Sequence, residues 1–449
     1  MRIATIGAGY VGLVTGTCLA DFGHTVTCVD VDEKRLDLLR SGQVPIFEPG
    51  LDTMVSANAA AGRLFFTSDL ARAVSEAEVV FIAVGTPSRH GDGHADLGYV
   101  YDAARAIAVA LDGFTAIVVK STVPVGTGDE VQRIIAEAAP GADFEVISNP
   151  EFLREGAAIE DFKHPDRIVL GVETDRARDI MAAVYQPLFL NWSQLVFTSR
   201  RSSELIKYAA NSFLAMKITF INEMSDLSEA VGGDIQDVAR GIGLDPRIGD
   251  KFLSPGPGYG GSCFPKDTLA LSRMAELAGV PSRLVEATIA VNTERKHAMA
   301  ARIVRAAGGD VRGKTVTLLG LTFKANTDDM RDAPAIDIIR LLLDQGASVR
   351  AFDPHGMPAT QKLFPAVAYG SDPYDAAQDA DVLAIVTEWE AFRALDFQRL
   401  KQTVRRPVLI DFRNIYRPKD VTRAGFEYHS LGRAAAHPDS GRRLRIVGE

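Results

Sequence analysis

The stretch PGPGYGGSCFPKD, residues 255–267, presents one cysteine in a frame of glycines and prolines. Gly260 and Gly261 leave the backbone bare just before Cys263, so a small molecule can come close. Pro265 suits the first position of a helix, which puts Cys263 at or just before a helix N-terminus. The partial positive charge there favours a thiolate, and Lys266 can add to it. Asp267 follows Cys263 by four residues, about one helical turn, on the same side. A buried structural thiol needs none of this framing, so Cys263 reads as a nucleophile.

A second pair with chemical potential lies in ELIKYAANSF, where Lys207 and Asn211 stand four apart on one face of an otherwise apolar helix. Burying a lysine beside an asparagine is costly unless a ligand uses them. Three further cations, Lys324, Arg331 and Arg413, fall at turns late in the chain. Together they suit a phosphate-bearing ligand.

Elements must position these groups. RIATIG is a short apolar run typical of a buried parallel strand. GAGYVG follows, with Gly7, Gly9 and Gly12 in the G-x-G-x-x-G spacing, then a helix, then the strand TVTCVDVD ending at Asp30. The first glycine permits a tight turn, the second lets backbone approach a pyrophosphate, and the third lets helix and strand pack closely. Asp30 can accept from a ribose 2′-hydroxyl and would repel a 2′-phosphate, which favours NAD over NADP. Further strands end in GTP, KST and SNPEF, placing Thr86, Thr122 and Glu151 at the carboxyl edge of one sheet, where ligands bind in doubly wound folds. Cys18 and Cys28 fall inside the first helix and second strand as small core residues.

From about residue 313 the pattern returns: TVTLLGLTFK, ASVRAFDPH and ADVLAIVTEW echo the opening strands. The copy keeps Gly320 but has Leu321, Thr322 and Phe323 after it, so a pyrophosphate could not approach in the same way. Between the copies the periodicity is helical. The expected fold is α/β: two Rossmann-like doubly wound domains, 1–200 and 306–449, joined by a long central helical region, 201–305, that also offers a dimer interface. At 449 residues, 47% hydrophobic and 24% charged, the chain is long enough for such domains. A net charge of −9 speaks against nucleic-acid binding. The glycine-studded start lacks a small-x-small cleavage site, no run suits a membrane span, and three scattered cysteines suit a reducing compartment, so a cytoplasmic protein is expected. The polar C-terminal tail carries no interpretable motif.

An NAD site with an activated cysteine implies a specific chemistry. Oxidising an alcohol once needs only a hydride acceptor and a base. Oxidising the product aldehyde again calls for a thiolate, which makes a thiohemiacetal, then a thioester open to hydrolysis. Two NAD are then reduced per substrate. The rivals are a dehydrogenase that stops after one hydride, with Cys263 dispensable, and an idle nucleotide-binding protein.

GAGYVG, PIFEPGL at 45–51, KSTVPVGT, SNPEFLREG, the KYAAN helix, RIGDKFLSPGPGYGGSCFPKD and GLTFKANTDDMR together resemble the nucleotide-sugar 6-dehydrogenases, the UDP-glucose/GDP-mannose dehydrogenase family. The resemblance spans nearly the whole chain. It implies oxidation of UDP-glucose to UDP-glucuronate by a homodimer or higher homo-oligomer, with GDP-mannose or UDP-N-acetylmannosamine as alternative substrates and no metal. It further implies Cys263 as nucleophile and Lys207 as oxyanion stabiliser with Asn211 beside it. Asp267 and Thr122 hold a catalytic water, and Glu151 is the base for thioester hydrolysis. Cofactor contacts are implied for Gly7, Gly9, Tyr10, Val11, Gly12, Asp30, Arg35, Thr86, Thr122, Glu155, Lys266 and Arg331. Substrate contacts are implied for Glu151, Phe152, Leu153, Glu155, Lys207, Asn211, Phe252, Ser254, Gly260, Lys324 and Arg413, with Arg247 reaching across a dimer.

Overall fold

A computed structural model describes residues 1–87, 89, 93–188 and 195–438, so the end of the polar tail lies outside the described residues. The strands are β1 (Arg2–Ile6), β2 (Thr25–Val29), β3 (Leu64–Thr67), β4 (Val79–Ile82), β5 (Thr115–Val119), β6 (Phe144–Ser148), β7 (Ile168–Gly171) and β8 (Leu195–Thr198), followed by β9 (Thr315–Leu319), β10 (Ser348–Phe352), β11 (Ala368–Tyr369), β12 (Val382–Ile385), β13 (Val408–Asp411) and β14 (Glu427–Ser430). They form two sheets, ordered β3-β2-β1-β4-β5-β6-β7-β8 and β11-β10-β9-β12-β13-β14. Both contain the doubly wound order in which the first strand lies between the second and the fourth. All neighbours are parallel except β6 and β7, which pair antiparallel through Ser148 and Gly171. β7 and β8, with the edge strands β3, β11 and β14, are elements beyond the sequence expectation.

Chain contacts divide the molecule into two compact units, Met1–Asn211 with Leu269–Pro281, and Ser212–Thr268 with Ser282–Glu449. Within the first, strand alternation sorts side chains onto two layers. Ile3, Val79, Phe81, Ala116 and Val118 enter one core with Leu13, Val14 and Cys18 of the helix Tyr10–Asp21. Ala4, Ile6, Val80, Ile82, Ile117 and Val119 enter the other with Val100 and Ile107 of the helix Gly98–Ala108. Strands apolar at every position arise because both faces are covered by helices. Cys18 and Cys28 are fully buried, and burial pushes both thiols up to about 12, which suits inert packing residues.

The second unit repeats the scheme. Val316, Leu318, Val382, Ala384 and Ile410 face one core, and Leu319, Leu383, Ile385 and Leu409 face the other. Between residues 200 and 306 the described chain is helical or irregular: Arg200–Val231, Ile235–Gly243, Phe264–Leu277 and Arg283–Ala306. Among the described residues no helix is long and apolar enough to cross a membrane.

Candidate active site

In the first unit, the turn after β1 is built by its glycines. Gly7 has φ +99°, and a Cβ there would lie 2.7 Å from the Ala83 carbonyl oxygen; one on Gly12 would lie 1.8 Å from the Gly7 carbonyl. These two glycines let strand and helix approach. Gly9 is different. It caps the helix Tyr10–Asp21 with φ −74°, which any residue adopts, and a Cβ there meets no protein atom within 4 Å. Neither strain nor packing requires glycine at this position, and it leaves room for a ligand to approach the helix N-terminus. Asp30 lies just past β2 and is buried, with Oδ2 accepting from the Ala8 amide at 2.7 Å and Oδ1 from the Asp32 amide at 3.0 Å. Arg35 donates to it at 2.9 Å. Burial opposes its ionisation, but the two amides and the Arg35 guanidinium outweigh it and hold the carboxyl below its usual range. These residues fit a dinucleotide whose pyrophosphate faces Gly9 and the backbone of Tyr10 and Val11, with a ribose at Asp30. The strand ends beside the turn are tied together, since the Thr86 hydroxyl donates to the Thr122 carbonyl at 2.9 Å.

The same carboxyl edge carries a buried ion pair. Lys207, on the helix Arg200–Val231, reaches Oε1 of Glu151 at 3.1 Å, and both side chains are buried. Oε2 of Glu151 accepts the Leu153 amide at 2.5 Å, and the Lys207 ammonium stands 5.3 Å from the Phe152 ring centroid. Asn211 is buried one turn along the same helix. Glu155 is half-buried, and its charge acts on the Tyr10 hydroxyl. The helix start is fixed to the sheet by Glu204, whose carboxylate takes the amides of Gly126 and Gly128 and the hydroxyl of Ser148. Beside the pair lies a residue that no motif singles out. Lys120, directly after β5, is buried and donates to Asn149 Oδ1 at 3.2 Å and to the Tyr185 hydroxyl at 3.3 Å, with no carboxylate in ion-pair range among the described residues. Burial pushes its ammonium down to about 8; Glu151 works against that shift and Lys207 with it.

In the second unit, the helix Phe264–Leu277 begins immediately after Cys263, whose carbonyl accepts the Asp267 amide at 2.8 Å. Cys263 is half-buried and its sulfur lies 3.4 Å from the Ser262 hydroxyl. Lys266 is spent locally: its ammonium pairs with the buried Asp267 carboxylate at 2.6 Å. The loop before the cysteine is bolted in place. Asn292 accepts the Tyr259 amide and donates to its carbonyl, Asn222 accepts the Gly256 amide, and buried Arg295 donates to the Gly256 carbonyl. The room left by Gly260 and Gly261 is taken by protein. A Cβ on Gly260 would lie 2.3 Å from the Asp332 carbonyl, and one on Gly261, at φ +85°, would touch the Phe323 ring at 2.8 Å.

The three late cations divide. Arg413 donates to the Val386 carbonyl at 2.8 Å and to the Phe323 carbonyl at 2.9 Å, while the Lys324 ammonium stands 5.4 Å from the Phe323 ring centroid. Arg331 is exposed and pairs with Asp329 at 2.8 Å, and its carbonyl accepts the Gly261 amide of the cysteine loop. Arg247 is exposed and paired with Asp245, Ser254 is exposed, and Phe252 holds φ +64° with its ring 6.1 Å from that of Phe264.

Residues 1–189, 201–294 and 317–418 match, in order, the NAD-binding, central and UDP-binding domains of the UDP-glucose/GDP-mannose dehydrogenase family. The chain belongs to this family. It is 64% identical over 435 residues to a UDP-glucose 6-dehydrogenase of Rhizobium meliloti (strain 1021), a match covering 96% of this chain and 100% of that protein. Its structure is similar to a UDP-glucose dehydrogenase from the hyperthermophilic archaeon Pyrobaculum islandicum, with a TM-score of 0.89 at 39% identity over 96% of this chain and 98% of that one. It is also similar to a UDP-D-ManNAc dehydrogenase from Pyrococcus horikoshii, with a TM-score of 0.84 at 25% identity over 96% and 99% of the two chains. The enzyme is thus an NAD-dependent dehydrogenase of this family, built on two Rossmann-like sheets.

Two residues with contacts near these groups were not marked by motif spacing. Phe323 stands where the first copy has Tyr10, and its ring supports Gly261 while its carbonyl holds Arg413. Its signal was the loss of glycine after Gly320, which showed what could not bind rather than what would pack there. Lys120 was visible as the first letter of KST, but nothing in a sequence distinguishes a buried lysine from a surface one.

Proposed function

We propose that the enzyme oxidises UDP-glucose twice, to UDP-glucuronate, with reduction of two NAD. The observation that carries this reading is Cys263 as the residue capping a helix N-terminus in an NAD-dependent dehydrogenase, a thiol that a single oxidation would not need. Gly9, Tyr10, Val11 and Asp30 would hold NAD, which would supply the hydride acceptor for each oxidation at the sugar C6. Cys263 adds as thiolate to the C6 aldehyde, forming a carbon–sulfur bond and a thiohemiacetal. Lys207 stabilises the oxyanion and Asn211 donates to it. After the second hydride leaves, the thioester is attacked by a water held by Asp267 and Thr122. Glu151 takes its proton, and the carbon–sulfur bond breaks to release carboxylate and thiolate. In sum, one alcohol and one water give a carboxylate, two hydrides and three protons.

The buried Lys207–Glu151 pair supports this division of labour, because a carboxylate that shares a lysine can hand a proton through it. In this reading residues 1–200 serve NAD, 306–449 serve the UDP moiety, and 201–305 form the interface of a homodimer. Phe213, Phe220 and Leu227 recur every seven residues on the long helix and stay exposed, as such an interface requires. In this reading the enzyme is cytoplasmic, a compartment that keeps a thiol such as Cys263 reduced.

The test is NADH formed per sugar nucleotide consumed, followed by absorbance with UDP-glucose, UDP-galactose, UDP-N-acetylmannosamine and GDP-mannose. UDP-glucose as the best substrate, with about two NADH per turnover, is expected. Cys263→Ala then loses at least about a thousandfold in kcat. One NADH per turnover, or full activity without the thiol, sinks the mechanism. A different preferred sugar nucleotide sinks only the substrate.

A further inference from the structure

The segment PIFEPGL matches the family's wording, yet no chemistry above uses it. Glu48 lies in it, just before the turn that opens the helix Leu51–Ala60. Glu48 is 6% exposed. Oε2 accepts the Tyr10 hydroxyl and, at 2.7 Å, the Gly156 amide; Oε1 accepts the Ala158 amide at 2.8 Å. The Gly156 amide also reaches the Tyr10 hydroxyl at 3.3 Å. No lysine or arginine lies within ion-pair range of Glu48 among the described residues. A buried carboxylate without a cation is costly unless donors surround it. Here the donors come from two different loops.

Those two loops are the ones that bear the ligands. Tyr10 is the first residue of the helix that opens on the dinucleotide. Gly156 and Ala158 close the segment that carries Glu151 and Glu155. We propose that Glu48 is a positioning residue that locks the sugar-side loop 151–158 to the dinucleotide turn, so that binding of NAD and binding of the sugar nucleotide favour one another. A ligand that fixes the backbone of Gly9 and Tyr10 fixes the Tyr10 ring, hence the carboxylate, hence the amides at 156 and 158. Burial, with Glu48 adding to it, raises the Tyr10 pKa, so the hydroxyl stays protonated and remains a donor. The proposal rests on UDP-glucose as substrate.

Calorimetry on the full-length Cys263→Ser protein gives the Kd of NADH, which cannot take hydride from the sugar, with and without saturating UDP-glucose. In this parent UDP-glucose tightens NADH by about fivefold or more, within the ordinary range of coupled sites. In Glu48→Gln the ratio falls below about twofold. A residue that merely stabilised the fold would weaken each ligand and leave the ratio alone. Tyr10→Phe keeps Glu48 on its two amides and removes only the link; its ratio collapses equally, so the proposal stays testable if Glu48→Gln does not fold. The double variant loses nothing more than either single one. A parental ratio near one, or a parental ratio retained in Tyr10→Phe, overturns the coupling. Failure of the parent to bind UDP-glucose at all overturns the substrate reading and the coupling with it.

Discussion

The turn after β1 and the turn after β9 have the same frame and opposite contents. Gly7 and Gly320 both adopt positive φ, +99° and +95°, and each packs on the strand that follows in the sheet, against Ala83 and Thr387. Their amides donate to the last residue of the neighbouring strand, Val29 and Phe352. An acid follows each of those residues, Asp30 and Asp353. In the first sheet Asp30 takes one amide of the turn and keeps Arg35 at its edge. In the second, Asp353 is fully buried, and its Oδ2 takes the amides of Leu321 and Thr322 and the indole of Trp389 while Oδ1 takes the amides of His355 and Gly356. Asp30 is held by two amides and a guanidinium, whereas Asp353 is held by four amides and an indole. The difference shows that side chains can fill a doubly wound turn without changing its backbone.

The largest break in this comparison comes from removing charge at the two acids. Any orientation of an asparagine at 353 turns an NH2 group towards at least two fixed donors. Asp353→Asn should therefore cost about 3 kcal/mol of stability, read by chemical denaturation. Asp30→Asn should cost about 1 kcal/mol and weaken NAD about tenfold. Equal stability losses would erase the distinction between the two turns. Next in size is Gly9→Thr, which places in the first turn the residue found at 322 in the second. The backbone accepts threonine and no protein atom opposes its Cβ. The melting temperature should hold within about 2 °C, while NAD affinity falls about a hundredfold. Unchanged NAD binding would mean that the bare backbone at Gly9 serves no ligand.

The frame of both sheets was legible because apolar runs of four or five residues, closed by glycine turns, leave few alternatives in an α/β chain. GAGYVG, Asp30, and the Lys207–Asn211 spacing were legible for the same reason: each is a local pattern with a geometric meaning. What sequence did not disclose are contacts made across long separations. Glu48 meets residues 38 and 108 positions away, and Lys120 meets Tyr185 across 65. The glycines before Cys263 were read as space for a ligand, whereas Asp332 and Phe323 occupy that space. A lone glycine reports that something comes close and says nothing of whether it is ligand or protein.

The ends of the fifth strands carry the comparison into charge. The first sheet places buried Lys120 after β5; the second ends β13 in buried Asp411, whose carboxyl is raised by burial although the Arg413 amide and Tyr428 hydroxyl work against the shift. Each position disfavours its charged form, but the two act in different pH ranges. Lys120 ionises near its ordinary value of 10.5 in the unfolded chain and at about 8 in the folded one. Between those values the unfolded state binds the extra proton, so stability rises with pH there; below about 8 both states are charged and the burial penalty is felt in full. Titratable groups facing Lys120 are Glu151, Lys207 and Tyr185. Lys120→Met removes the penalty and the slope together. Relative to wild type it should be more stable by about 1 to 3 kcal/mol at pH 7, with the gap closing as pH approaches 10.5. Asp411→Asn should leave this alkaline difference untouched. Denaturant midpoints at pH 7, 8.5 and 10 decide the matter. A gap that stays constant over this range means that Lys120 is charged throughout, with its ammonium carried by Asn149 and Tyr185 in place of water.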